Sequence, residues 1–360
     1  MRLGWLVSAL AGLILLHSSL GNAEIIQKRA THAELAQKNL NHSLERARRL
    51  SAGRPNDPAA AQGVVELLLM RLQFYRNYAD LDELATLCKP WSNDARAEAQ
   101  FLCADVDAAR HDFSSALERL SRAANRGGHC SAIQKRIAAI GATLQVDLGG
   151  ALHKSASINE SAMSYTSGVL AAAQATAQGD KKAAVDYYTT AVTSYNDVSP
   201  YPIAWAWYQV AELLKDTDPE AAIDYYHESL KYLPDYIAPR VELAAVQIDQ
   251  GDNQSALQNL NIAMQASDDP DIHALISAAL EPDSEDSEAK ASLERAEREF
   301  AELLQRHPYA FADHAAEVYL HTNKQKAVEL QEILDTQKRA VANTLKNWDI
   351  ENCKISEGKL

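Results

Sequence analysis

The chain has 360 residues, 47% of them apolar and only 7% aromatic, with alanine used heavily. Such a composition can bury a large core through many small side chains at close contacts. Its 49 acidic residues outweigh 35 basic ones, for a net charge of −14. That balance argues against a nucleic-acid ligand, because neutralising phosphates requires clustered Lys and Arg. The one local basic concentration, Arg46, Arg48 and Arg49, reads as the solvated face of a helix rather than as a patch for acidic lipid or polymer.

The first 23 residues have the three-part grammar of a secretory signal peptide: Met1-Arg2, an apolar run from Leu3 to Leu16, and the small-residue site Gly21-Asn22-Ala23. Cleavage is expected after Ala23, leaving a mature chain from Glu24 that is periplasmic or secreted. A run of fourteen apolar residues falls short of the roughly 20 needed to cross a bilayer, so an uncleaved anchor is the weaker alternative. No cysteine follows the cleavage site for lipid attachment, and no later stretch is apolar for long enough to form a transmembrane segment.

Beyond the leader, apolar residues recur at three and four, and sustained alternation is absent. A stripe through Ala33, Leu40, Leu44, Ala47 and Leu50 predicts a helix that stops before Gly53 and Pro55. A second helix is predicted over 59–75 and a third over 81–88, with Pro90 interrupting. Residues 24–93 are thus expected to form N-terminal helices, as a degenerate repeat or a cap.

From there a period emerges. Counting from Ala256, the residues Leu243, Ala244, Gly251, Leu260 and Ala263 stand at offsets that recur around Ala184 as Ala171, Ala172, Gly179, Tyr188 and Ala191. Around Ala116 the matching residues are Ala104, Leu120 and Ala123. Ala116 and Ala184 are 68 residues apart, and Ala222 and Ala256 are 34 apart. The spacing of 38 between Ala184 and Ala222 reads as an insertion at 196–202, with a turn one residue shorter before Ala222.

On these residues the chain resembles the tetratricopeptide repeat, a helical hairpin of about 34 residues. The best copy runs through Trp207, Val210-Ala211, Leu214, Ala222, Tyr226, Ser229 and Pro234. The resemblance implies an all-α solenoid of stacked antiparallel helix pairs wound into a right-handed superhelix. The array is expected over 94–270, with clear copies at 94–125, 164–195, 203–235 and 237–267. A degenerate copy is expected at 130–160, where Gly149-Gly150 weakens the helix. Residues 271–360 read as divergent C-terminal helices and a cap, preceded by an acidic loop at 281–288 that lacks the spacing of a calcium site.

The resemblance further implies a binding surface on the first helix of each pair. In the copy anchored at Ala222 this places Trp205, Tyr208, Glu212 and Lys215 on one face; their counterparts are Val169 and Ala173 before it, and Val241, Ala245 and Ile248 after it. An exposed strip with an aromatic centre suits an extended peptide or helix, and Trp and Tyr are frequent hot-spot residues.

Nucleotide, phosphate-loop, zinc-protease and serine-hydrolase motifs are missing from the sequence. His307, His314 and His321 keep a regular interval, but Pro308 prevents all three from sharing one helix. No metal or cofactor is therefore expected. Of four cysteines, Cys88 and Cys103 flank one connection; they form either a disulfide or, in the case of Cys103, ordinary repeat core. Sequons at Asn41, Asn159 and Asn253 matter only in a eukaryotic secretory pathway. The expected function is an exported scaffold or adaptor for a protein or peptide partner in an envelope-associated process, without enzymatic activity. The alternative is a helical enzyme or small-ligand receptor with a site in the degenerate middle or the C-terminal helices.

Overall fold

A computed structural model describes residues 27–125, 130–144, 163–280, 287–349 and 354–355. The leader, most of the degenerate copy, Asn159, Cys353 and residues 281–286 of the acidic loop lie outside the described residues. The described chain consists of helical hairpins stacked in sequence order. The first helices are α1 (Ala33–Ala52), α2 (Pro58–Tyr75) and α3 (Ala79–Cys88), followed by a 3₁₀ turn at Lys89–Trp91. Then come α4 (Ala97–Ala109) with α5 (Phe113–Ala124), and α6 (Cys130–Leu144). The central pairs are α7 (Tyr165–Ala177) with α8 (Lys181–Ser194), α9 (Pro200–Leu214) with α10 (Pro219–Tyr232), and α11 (Ile237–Asp249) with α12 (Asn253–Met264). Next are α13 (Pro270–Ala279) with α14 (Ser287–Arg306), and α15 (Ala312–Thr322) with α16 (Lys324–Lys346). A two-residue antiparallel ladder closes the chain, β1 (Trp348–Asp349) on β2 (Lys354–Ile355), with Trp348 opposite Ile355. No helix among the described residues is long and apolar enough to cross a membrane.

Four hairpins share one turn. Asp112, Asp180, Asp218 and Asp252 each cap a second helix, their side chains accepting from the N–H three residues on. This satisfies one of the orphan donors of the first turn. Each Asp carbonyl then accepts from the N–H of the alanine four residues later, at 3.0 to 3.1 Å, and those alanines are Ala116, Ala184, Ala222 and Ala256. All four anchors are 0% exposed: the absence of a longer side chain lets the paired helices touch.

The residue before the capping Asp is left-handed in three copies, His111 at φ 55°, Gly179 at 76° and Gly251 at 80°. There the Asp N–H reaches back five residues, to Asp107, Ala175 and Gln247 respectively, which completes a Schellman-type stop. In the copy before Ala222, Asp218 reaches back only four residues, to Leu214 at 2.7 Å. That bond is the physical form of the shorter turn.

The described segments on either side of the array fold back over it. Phe74 and Tyr75, from the last turn of α2, join the core formed by Tyr188, Tyr201, Trp207, Tyr226 and Tyr236. Phe74 packs on Tyr201 and Tyr236 with ring centroids 4.8 Å apart in each case, and the hydroxyls of Tyr75 and Tyr201 are 3.0 Å apart. The segment ahead of α1 is tied down alongside: Lys28 N–H donates to Tyr232 Oη at 2.6 Å, and Thr31 N–H to the Val198 carbonyl at 2.6 Å. At the other end Val341, Leu345 and Trp348 pack among Phe113, Leu117, Ile133 and Ile137 of α5 and α6. Leu81 of α3 joins Phe300, Phe311 and Ala315 in a further cluster.

Two ionic joints fasten these returns. Arg76, left-handed at φ 44°, forms ion pairs with Asp269 and, at 3.5 Å, Asp271, and Asp271 also accepts from His314 Nδ1 at 2.7 Å. Asp271, with its bond and its charge, holds His314 protonated up to about 10. In the second joint Arg110 donates to His307 Nδ1 at 3.2 Å, and His307 Nε2 meets Asp82 at 2.9 Å. An Nδ1 that accepts fixes the neutral tautomer with its proton on Nε2, consistent with burial pushing the His307 pKa down.

Candidate partner-binding face

Eight of the nine residues assigned to the groove lie on α7, α9 and α11 and Lys215 is the C-cap of α9, so the repeat register carries them to corresponding places on successive first helices. Their accessibility is more modest than an open strip requires. Val169, Ala173, Trp205, Tyr208, Glu212, Lys215, Ala245 and Ile248 are half-buried, and Val241 is only 3% exposed. Val241 belongs to the cluster of Ile237, Ala244, Leu260 and Ile272, so α11 turns that position into its own hairpin core.

Neighbouring helices cover part of the aromatic pair. Trp205 stands edge-on to Tyr188 with ring centroids 5.8 Å apart. Tyr208 lies between Tyr226 at 6.3 Å and Tyr236 at 5.5 Å. Burial, together with the carboxylates of Glu212 and Glu242, raises the Tyr208 phenol well above its ordinary range, so its hydroxyl stays protonated. Gln73, at the end of α2, donates to Tyr236 Oη at 3.2 Å, bringing the N-terminal hairpin to the border of the face.

Beside the aromatics sits a compact charge cluster. Lys215 Nζ donates to Glu212 Oε2 at 2.9 Å and to Glu242 Oε2 at 2.7 Å, while Tyr226 Oη donates to Glu212 Oε1 at 2.5 Å. Burial first, then repulsion from Glu242, raises the Glu212 carboxyl. Burial opposes the charge on Lys215, yet the two glutamates keep its pKa above the ordinary value. Two carboxylates around one ammonium leave the cluster one negative charge in excess. Glu242, Tyr226 and Tyr236 complete this arrangement but were not among the residues selected from sequence. The signal for Glu242 was present: it lies 27 residues beyond Lys215, one helical position off the selected Val241, on the side of α11 that faces α9.

Cys88 and Cys103 are joined by a disulfide across the α3–α4 connection, with Cα atoms 5.6 Å apart. Cys103 is 0% exposed and packs with Leu84, Trp91 and Val106, so it is a core residue and a bridge at once. Cys130 is also disulfide-bonded.

The tetratricopeptide repeat family matches residues 213–279, from the end of α9 through α13. No curated protein matches the sequence. Among solved structures, the chain is similar to a monomeric mutant of IFIT1 determined with m7Gppp-AAAA. The two are 13% identical, the match covers 83% of this chain and 68% of that one, and the TM-score is 0.33. Within this stack of helical hairpins, residues 213–279 match the tetratricopeptide repeat, a repeat that suggests a protein-interaction scaffold.

Proposed function

We propose that this protein is an exported scaffold that holds a protein or peptide partner on the face formed by α9 and α11, and that it catalyses no reaction. One observation carries the reading: Trp205, Tyr208, Glu212, Lys215, Ala245 and Ile248 keep partial exposure along α9, its C-cap and α11, while Trp207, Val210, Ala211, Leu243 and Ala244 beside them are buried. An aromatic pair beside a preformed ionic cluster offers an apolar anchor point and polar groups that fix register, the combination from which hot spots are made. With Phe74 and Gln73 bounding one side, the face accepts a single extended or helical segment. The excess negative charge of the Glu212–Lys215–Glu242 cluster favours a partner that brings a basic or donor-rich side chain there. Export is supported by the leader grammar and by a disulfide, which persists in oxidising compartments.

Replacing Trp205 and Tyr208 by Ala would also strip contacts from Tyr188 and Tyr236, so crosslinking is the cleaner test. A photoreactive residue at Ala245 or Ile248 should capture the partner, whereas one at Met264, exposed on the second helix α12, should not. Capture from Met264 alone would place the partner on the opposite surface and end this assignment. N-terminal sequencing of envelope-fraction material should begin at Glu24. An intact Met1 in the cytosol would remove the envelope part of the reading.

A further inference from the structure

The segment ahead of α1 is held without a core of its own. From Gln27 to Ala33 every residue is exposed or half-buried, with Ala30 and Ala33 resting on the neighbouring core. What fixes it is a row of polar contacts to the ends of α8 and α10 and to the connection between α8 and α9.

The array supplies acceptors throughout this berth. Helix α8 stops at Ser194, with Tyr195 extended at φ −70° and ψ 120°, and its terminal carbonyls need an outside donor. Lys28 Nζ provides it, donating to the carbonyls of Thr193 at 2.6 Å and Tyr195 at 3.3 Å. A cation there also meets the negative end of the helix dipole. Tyr232 Oη, in the last turn of α10, accepts from the Lys28 N–H at 2.6 Å, and the Val198 carbonyl accepts from the Thr31 N–H at 2.6 Å. Glu228, only 5% exposed, accepts from Gln27 Nε2 at 2.9 Å on one oxygen and from Lys231 on the other.

These groups recognise an extended segment: two backbone N–H groups three residues apart, and an ammonium beside the first. The insertion at 196–202, an irregularity of the repeat spacing, thereby has a use, since it carries the Val198 carbonyl to that backbone. No side chain of the bound segment is sealed in core, so it opens at lower cost than the helices behind it.

We propose that this berth is a peptide site: residues 27–31 fill it in cis, and an extended, lysine-bearing segment of a partner displaces them. The residues that form it are distinct from those of the α9 and α11 face, so either assignment stands without the other. The probe is a fluorescent peptide of residues 27–33, titrated by anisotropy against the full chain from Glu24 carrying Lys28→Ala, which loosens the segment already in place. Binding should saturate there and be at least about tenfold weaker on the unaltered chain, whose own segment competes at an effective concentration in the millimolar range. A peptide with Ala in place of its lysine, and a chain that adds Tyr232→Phe, should each lower the affinity about tenfold, with the circular dichroism spectrum of the protein unchanged. The proposal is overturned if the peptide fails to bind the Lys28→Ala chain, if it binds the unaltered chain equally well, or if binding is indifferent to its lysine or to Tyr232.

Discussion

Gly168, on the first turn of α7, tests whether close helix approach limits the hairpins. A methyl group at this position would stand 2.9 Å from Ala191 Cβ, 3.1 Å from Ala191 Cα and 3.2 Å from its nitrogen. Two of those three atoms are backbone of α8, so no side chain can swing aside and the helices must separate. Overpacking of this kind typically costs about 1–3 kcal/mol, and exchanging Gly for Ala in a helix returns about 1 kcal/mol. Gly168→Ala should therefore destabilise by roughly 1 kcal/mol net. Gly63 in α2 provides the control, because its added methyl meets only Ala47 Cβ, at 3.8 Å. There the propensity term acts alone, and Gly63→Ala should stabilise by up to about 1 kcal/mol. Urea unfolding followed by circular dichroism would read both as shifts in midpoint at constant slope. Equal, stabilising shifts for the two variants would refute the claim that the α7–α8 contact is at its limit.

Other consequences follow from the joints. Phe74→Ala removes the ring that packs between Tyr201 and Tyr236, at a cost of about 3–5 kcal/mol; hydrogen exchange should speed up across α1 and α2 first, and uniform protection would show that the hairpin is held elsewhere. The raised His314 pKa, about 10 in the fold against about 6.5 unfolded, makes a stabilising contribution that is complete below pH 6.5 and lost as pH climbs toward 10. The urea midpoint should decline over that window, and His314→Gln should flatten the decline; an unchanged slope would remove the Asp271 pair from the account. Closing a loop of 15 residues, the Cys88–Cys103 bridge should contribute about 3 kcal/mol on the chain-entropy model, and a non-reduced digest showing both as free thiols would dispose of it.

Local chemistry was enough for much of the fold. Small residues at intervals of 68, 38 and 34 positions announced the helix pairs, and the structure shows why: Ala116, Ala184, Ala222 and Ala256 are fully buried where two helices touch. The shorter turn before Ala222 was equally legible, because a one-residue change in a hydrogen-bonded stop displaces every later residue of the register. Neighbour-to-neighbour contacts of a repeat leave a periodic trace, and periodicity can be read from one sequence.

The tertiary structure alone decided where the flanking helices go. Phe74 meets Tyr236, Arg76 meets Asp269, His307 meets Arg110 and Gln337 meets the His111 carbonyl, each pair joining parts of the chain far apart in sequence. Such contacts occur once and therefore have no period. They also bring Gln73 of α2 to the border of the partner face, whose remaining cover comes from the neighbouring repeats: Tyr188 on Trp205, and Tyr226 and Tyr236 on Tyr208. Whether a residue on the free side of a first helix meets solvent or a returning helix depends on the path of the whole chain, and the spacing of residues within one repeat does not encode that path.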